Sequence, residues 1–138
     1  YILSNSKNID YSFYEKLKNK IKNSKKFKKI KILFDVTNIS DWYKKCELYV
    51  LSSRYEGYPN SLIEALNNNA KIISYDCEYG PKEIINFYKA GLLIPVKKNK
   101  LSKYLNLYFE KKIIISRPKL VDVKNYNLIN LKAWSNIL

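Results

Sequence analysis

Two short apolar runs, each followed by a loop and then by a segment of helical spacing, occupy the middle of this sequence. The stretch is ELYVLSSRYEGYPNSLIEALNNNAKIISYDCEYGPKEIINFYKAG, residues 47–91. Residues 48–51 are rich in β-formers and read as a buried strand; residues 71–75 read as a second. Between them, Leu62, Ile63, Ala65 and Leu66 can face a core from a helix over 61–69. After the second run, Gly80-Pro81 leads into helical spacing over 82–87. Strand, loop and helix repeated in this order point to a parallel sheet, because parallel neighbours need a crossover between them. Ligands of such sheets sit beyond the carboxyl ends of the strands. The loop over 52–60 and the Gly80-Pro81 loop both fall there, so function is expected at that end.

The flanks extend the pattern. Residues 1–3 read as the tail of a strand, and Asn8 or Asp10 caps a helix through Tyr14, Leu17 and Ile21. Residues 22–29 form a basic helix end and turn, 30–34 a strand and 35–38 a loop. A short helix through Trp42 and Tyr43 starts at Ser40 or Asp41. Beyond Gly91, residues 92–96 read as a last strand, interrupted by Pro95 and so suited to an edge. Leu101, Leu105 and Tyr108 line another helix, and residues 113–115 either prolong it or run extended. Leu128, Leu131, Trp134 and Leu138 predict a closing helix over 126–138. The expectation is one α/β domain, a Rossmann-like parallel sheet with flanking helices, in which 30–34, 48–51 and 71–75 share one sheet.

Composition narrows the chemistry. With 46% hydrophobic and 28% charged residues the chain is globular rather than disordered. No apolar run approaches the roughly 20 residues of a membrane-spanning helix. Residues 1–10 lack the basic start and apolar middle of a signal peptide. Opening on Tyr1 rather than Met, the sequence reads as a segment of a longer chain. Histidine is absent, which excludes a Ser-His-Asp triad, a Cys-His pair and any His-based metal site. Cys46 and Cys77 are too few for a zinc cage and read as buried thiols of a cytoplasmic protein. No metal is expected. The net charge of +14 suggests an anionic partner. Lysine supplies nearly all of the positive charge, however, Arg54 and Arg117 being the only arginines. Base readout favours arginine, and single-strand binding needs clustered aromatics. Diffuse lysine fits solubility or contact with an anionic membrane surface, and no nucleic-acid partner is expected.

Glu56 and Glu64 stand eight residues apart, one in the glycine-containing loop and one in the first turns of the next helix. Between them, Gly57 allows close approach of the backbone to a ligand, and Pro59 holds Tyr58 extended. Asn60 and Ser61 open a helix whose unpaired N–H groups can hold a phosphate. Glu64, one turn in, can accept hydrogen bonds from vicinal ribose hydroxyls. A nucleotide therefore fits, with its attached group near Glu56. A plainer reading is equally compatible with the spacing. Ser61-Leu62-Ile63-Glu64 matches an S-x-x-E capping box in which Glu64 ties only the helix start. Glu56 is then an ordinary loop residue, and Tyr55 and Tyr58 cover the core.

The motif SSRYEGYPNSLIEAL closely resembles the E-x7-E signature of family-4 retaining glycosyltransferases, in the C-terminal domain of a GT-B fold. DWYKKCELYVLSS resembles the helix and strand before that motif, and AKIISYDCEYGPKEII the strand and Gly-Pro loop after it. GLLIPV and the segment around Trp134 match the family's ending, so the likeness covers roughly residues 30–138.

The resemblance implies a bacterial enzyme that transfers a sugar from a nucleotide-sugar donor, a UDP-sugar by expectation, with retention of configuration and without a cofactor or structural metal. Glu56 is then the catalytic-site carboxylate at the donor sugar, and Gly57, Tyr58 and Pro59 form the loop beside it. Asn60, Ser61 and Leu62 offer N–H groups to the diphosphate, and Glu64 binds the ribose. The acceptor is expected to be a glycan or a lipid-linked sugar, at the cytoplasmic membrane face with peripheral contact. The implied domain, residues 1–138, is an incomplete C-terminal nucleotide-sugar domain lacking the N-terminal acceptor domain; the fragment alone is expected to be nearly inactive. Departures from the pattern are Asp35 where a glycine is usual, SNSKN at a glycine-rich turn, and Asn68-Asn69 where a small residue and glycine are common. A basic α/β binding module and a non-catalytic glycosyltransferase-like partner subunit are the alternatives.

Overall fold

The computed structural model describes residues 2–4, 10–23 and 30–119. The chain forms two compact units, Tyr1–Ile39 and Ser40–Leu138, where the sequence predicts one domain. In the first, strand β1 (Ile2–Ser4), helix α1 (Tyr11–Lys22) and strand β2 (Ile32–Phe34) make a β-α-β unit, with β1 and β2 paired in parallel. Asp10 caps α1 as expected: its Oδ1 accepts from the Ser12 N–H at 2.9 Å and the Phe13 N–H at 3.1 Å. Lys20 and Lys22 in the last turn suit the negative end of the helix dipole. The Tyr14 ring meets Phe34 edge-on at 5.3 Å, fixing the helix to its strand. Asp35 follows with φ +47°, so an aspartate takes the left-handed conformation in which a glycine is usual.

The second unit contains α2 (Ile39–Lys45, entering from the boundary), β3 (Tyr49–Leu51), α3 (Asn60–Asn67), β4 (Ile72–Tyr75), α4 (Pro81–Tyr88), β5 (Leu92–Ile94) and α5 (Lys100–Phe109). Its sheet has the order β3-β4-β5, parallel throughout, with Val50 beside Ile73 and Ser74 beside Leu93. The expectation that β2 shares this sheet is not met. The ladder bonds of Ile32, Leu33 and Phe34 go to residues 2–4, and among the described residues β3 is bonded only to β4.

Central β4 is buried at Ile72, Ile73 and Ser74, the near-continuous run required of a parallel strand covered on both faces. Ser74 satisfies its hydroxyl on the Tyr75 carbonyl at 2.9 Å. Helix α3 buries Leu62, Ala65 and Leu66, and α4 buries Ile84, Ile85 and Tyr88. Fully burying such side chains contributes roughly 1.5–3 kcal/mol each. The Tyr88 hydroxyl donates to Asn67 Oδ1 at 2.7 Å, joining the two helices. Ile73, Ile94, Tyr108 and Ile115 form a second core cluster. Residues 113–119 therefore lie beyond α5 without regular secondary structure rather than prolonging it. Among the described residues β5 pairs only with β4, and Pro95 follows it at the edge, as its missing N–H requires. The closing helix predicted around Trp134 lies outside the described residues. No helix among the described residues is long and apolar enough to cross a membrane.

Candidate functional site

Two loops meet at the carboxyl ends of β3 and β4. Gly80, the N-cap of α4, has φ +89°, and a Cβ there would lie 2.5 Å from Pro59 Cδ and 2.9 Å from the Gly57 carbonyl oxygen. Only glycine fits both the torsion and the contact. The loop after β4 thus braces the loop after β3, and Pro59 is buried beneath it. Gly57 differs: a Cβ there meets nothing within 4 Å. The chain's own packing does not require glycine at 57, and the space beside it is open.

Helix α3 begins at Asn60 with Pro59 as N-cap, and Pro59 supplies no side-chain cap. Ser61 therefore lies inside the first turn, and its hydroxyl accepts from the Tyr49 hydroxyl at 2.9 Å. The S-x-x-E capping box is not formed, because Ser61 stands two residues past the N-cap Pro59. Glu64 is exposed and is approached by the Tyr43 hydroxyl at a long 3.4 Å from Oε2. Its carboxylate faces outward with most of its acceptor capacity available. Of the three N–H groups expected to meet a diphosphate, Asn60 donates to the Tyr58 carbonyl at 2.9 Å and Leu62 to that of Pro59 at 3.0 Å. Among the described residues, the Ser61 N–H alone of the three has no acceptor.

Tyr43 and Tyr49 sit beneath this turn, their rings edge-on with centroids 5.5 Å apart. Burial pushes the Tyr43 phenol well above its ordinary range, with Tyr49 and Glu64 adding to the shift. Burial likewise raises Tyr49, partly opposed by its bond to Ser61; Glu56 and Glu64 both add to the rise. Both phenols stay protonated at neutral pH and act as donors, one to Ser61 and one to Glu64. Glu56 is half-buried in the loop above, close enough to Tyr49 to act on its charge. Sequence reasoning passed over these tyrosines as donors. The signal was a tyrosine at a strand position and another on a short helix: a buried phenol needs a polar partner.

An open groove of about 470 Å³ runs along the ends of β3, β4 and β5, bounded by Arg54 and Tyr55, by Tyr75 to Glu78, and by Val96 to Lys98. Cys77 lines it but is buried, and burial raises its thiol, so it remains protonated. Arg54 and Tyr55 share their loop with Glu56, whereas the other groove residues were not singled out from the sequence. Strand pairing brings them there.

Comparison with known proteins gives the family and the fold. The family described as "Glycosyl transferases group 1" matches residues 11–127. The chain is 40% identical over 63 residues to the amylovoran biosynthesis glycosyltransferase AmsD of Erwinia amylovora, covering 46% of this chain and 17% of that protein. It is 34% identical over 77 residues to the GtfA subunit of the UDP-N-acetylglucosamine–peptide N-acetylglucosaminyltransferase of Streptococcus gordonii, covering 56% and 15%. Among solved structures, TarM superposes with a TM-score of 0.58 at 21% identity, over 75% of this chain and 20% of that one. The match to each relative thus spans less than a fifth of the relative's length.

Proposed function

The chain belongs to the group 1 glycosyl transferases, with a GT-B-like parallel sheet, and from that premise we propose that it carries the nucleotide-sugar half of a retaining transferase. The observation that carries the reading is the state of Glu64: outside any capping box, exposed one turn into α3, and approached by a buried phenol. A carboxylate so placed accepts from both ribose hydroxyls of a UDP-sugar, the donor type in the name of the Streptococcus gordonii relative. The Ser61 N–H, at the positive end of α3, then faces the diphosphate, and Asn60 and Leu62 add theirs if the loop rearranges on binding. Gly57 leaves room for the sugar beside Tyr58 and Pro59, and Glu56 contacts its hydroxyls near the reacting carbon. No histidine base is needed. Orientation of the donor and stabilisation of the departing diphosphate supply the rate enhancement.

In this reading the acceptor is a glycan or lipid-linked sugar presented at the cytoplasmic membrane face, and residues beyond this sequence supply the acceptor wall. The test is titration of the chain with UDP and UDP-sugars. Glu64→Ala is expected to weaken UDP about tenfold, roughly 1.4 kcal/mol. In the longer parent protein, Glu56→Ala is expected to lower turnover with little change in donor affinity, and the product's anomeric configuration, read by NMR, reports retention. Unchanged UDP binding in Glu64→Ala removes the basis of the assignment.

A further inference from the structure

The groove at the ends of β3, β4 and β5 contains neither Glu56 nor Glu64 in its walls, yet it shares a loop with Glu56. Three cations line it: Arg54 from the loop after β3, and Lys97 and Lys98 from the turn after β5. Two carboxylates, Asp76 and Glu78, enter from the loop after β4. All five side chains are exposed, and among the described residues none forms an ion pair with any other charged group. Opposite charges lining one groove without pairing leave both kinds of hydrogen-bonding group available to a ligand. Tyr55 stands at the rim, 87% exposed. An aromatic ring so exposed loses apolar contact unless something covers it.

The chemistry of the lining defines the ligand. Guanidinium and ammonium groups recognise phosphate or carboxylate oxygens. Carboxylates accept from hydroxyl pairs, as in polyols and sugars, and repel a ligand that is only negative charge. The face of a tyrosine suits the C–H face of a sugar ring or a polyol backbone. A plain polyanion leaves Asp76 and Glu78 opposed, and a neutral sugar leaves the three cations unused. We propose that this groove binds a hydroxyl-rich chain bearing anionic groups, an anionic saccharide or polyol phosphate. Its role as the acceptor subsite, placing such a chain beside the loop of Glu56, rests on the function proposed above.

The experiment measures binding of the 138-residue chain by calorimetry at about 0.15 M salt, where diffuse surface charge is screened beyond roughly 8 Å. The probes are a glycerol phosphodiester oligomer, an oligogalacturonate, neutral maltohexaose and inorganic polyphosphate. One of the first two is expected to bind at least tenfold more tightly than maltohexaose or polyphosphate, and which one wins identifies the anionic group. Lys97→Ala/Lys98→Ala and Tyr55→Ala should each weaken that ligand about tenfold. The control Lys16→Ala/Lys20→Ala on α1, which removes equal charge elsewhere, should leave binding within twofold. All of these positions are exposed, and circular dichroism verifies folding of each variant. Equal binding of polyphosphate, or equal losses in the α1 control, would reduce the groove to generic basicity and overturn the proposal, as would retained binding in Tyr55→Ala. UDP titration of the same samples separates the two readings. Loss of UDP binding alone defeats the donor assignment and leaves the groove standing; loss of oligomer binding alone does the reverse.

Discussion

At the amino end of the three-stranded sheet, polar side chains are consumed by one another; at the carboxyl end they are held apart. Lys71, just before β4, donates to Glu47 at 3.2 Å and to the Tyr108 hydroxyl at 2.9 Å, and lies over the Tyr108 ring. Tyr108 in turn donates to Glu47. Arg117 donates to the Asn69 carbonyl at the end of α3. These groups close the lower edge of the sheet against α5 and the irregular segment after it. At the opposite end Arg54, Asp76, Glu78, Lys97 and Lys98 line one groove without pairing among the described residues, and Glu64 has a single long contact. The same residue types serve structure at one end and remain available at the other. Availability, rather than the presence of charge, marks the end at which we propose binding.

The largest expected effect tests the brace between the two loops. Gly80→Ala forces a Cβ against Pro59 and the Gly57 carbonyl at a left-handed torsion. It should cost about 3 kcal/mol in urea denaturation and abolish UDP binding together. Retained binding would show that the loop after β3 holds its shape without the loop after β4. The next contrast pairs the ends directly. Lys71→Met should lower the unfolding midpoint and leave UDP affinity unchanged, whereas Glu64→Ala should do the opposite. If both substitutions move the same observable, the division between the ends fails. A finer probe is Tyr43→Phe, which removes the donor to Glu64. It should weaken UDP two- to threefold while changing stability by less than about 1 kcal/mol, with the effect absent in a Glu64→Ala background.

The smallest effect is a pH dependence confined to the amino end. The hydrogen bonds from Tyr108 and then Lys71 hold the Glu47 carboxyl below its usual range. A depressed carboxylate stabilises the fold above its unfolded value of about 4.3, and that contribution is lost as pH falls through the lower folded value. Bonding to Tyr108 and then Glu47 raises Lys71. Its contribution is full below an unfolded value of about 10.4 and is lost as pH rises through the higher folded value. Stability should therefore be flat between these limits and decline outside them. In Glu47→Gln the acid-side slope should diminish, as measured by unfolding midpoints from pH 3 to 7.

Much of this arrangement was legible along the chain because it depends on local signals. Asp10 caps α1, Gly80-Pro81 opens α4, and the apolar runs become parallel strands at nearly the expected places. What escaped depends on contacts distant in sequence. Ser61 reads as a cap until α3 is seen to start at Asn60, which leaves its hydroxyl to accept from Tyr49, 12 residues away. Lys97 and Lys98 look like an ordinary basic turn until β5 is laid beside β4. Ladder pairing of β2 was likewise not legible, since a hydrophobic run of three residues carries no mark of which neighbour it prefers. The two substitutions for expected glycines resolve alike. Asp35 and Asn69 adopt positive φ, at +47° and +61°, so the backbone shape survives the change of residue.

Those two are not isolated. Lys89, Asn99 and Lys111 are also left-handed, so among the described residues five positive-φ positions carry side chains, in a chain that has three glycines in all. Each such turn costs up to about 1–2 kcal/mol relative to a right-handed one. Together they claim a sizeable share of the roughly 5–15 kcal/mol by which a domain is usually stable. The consequence is evolutionary: with a thinner margin above the folding threshold, a lineage carrying these turns tolerates fewer core substitutions before function suffers. Its buried positions in β4, α3 and α4 should then vary less among close descendants than those of a relative whose turns are glycine.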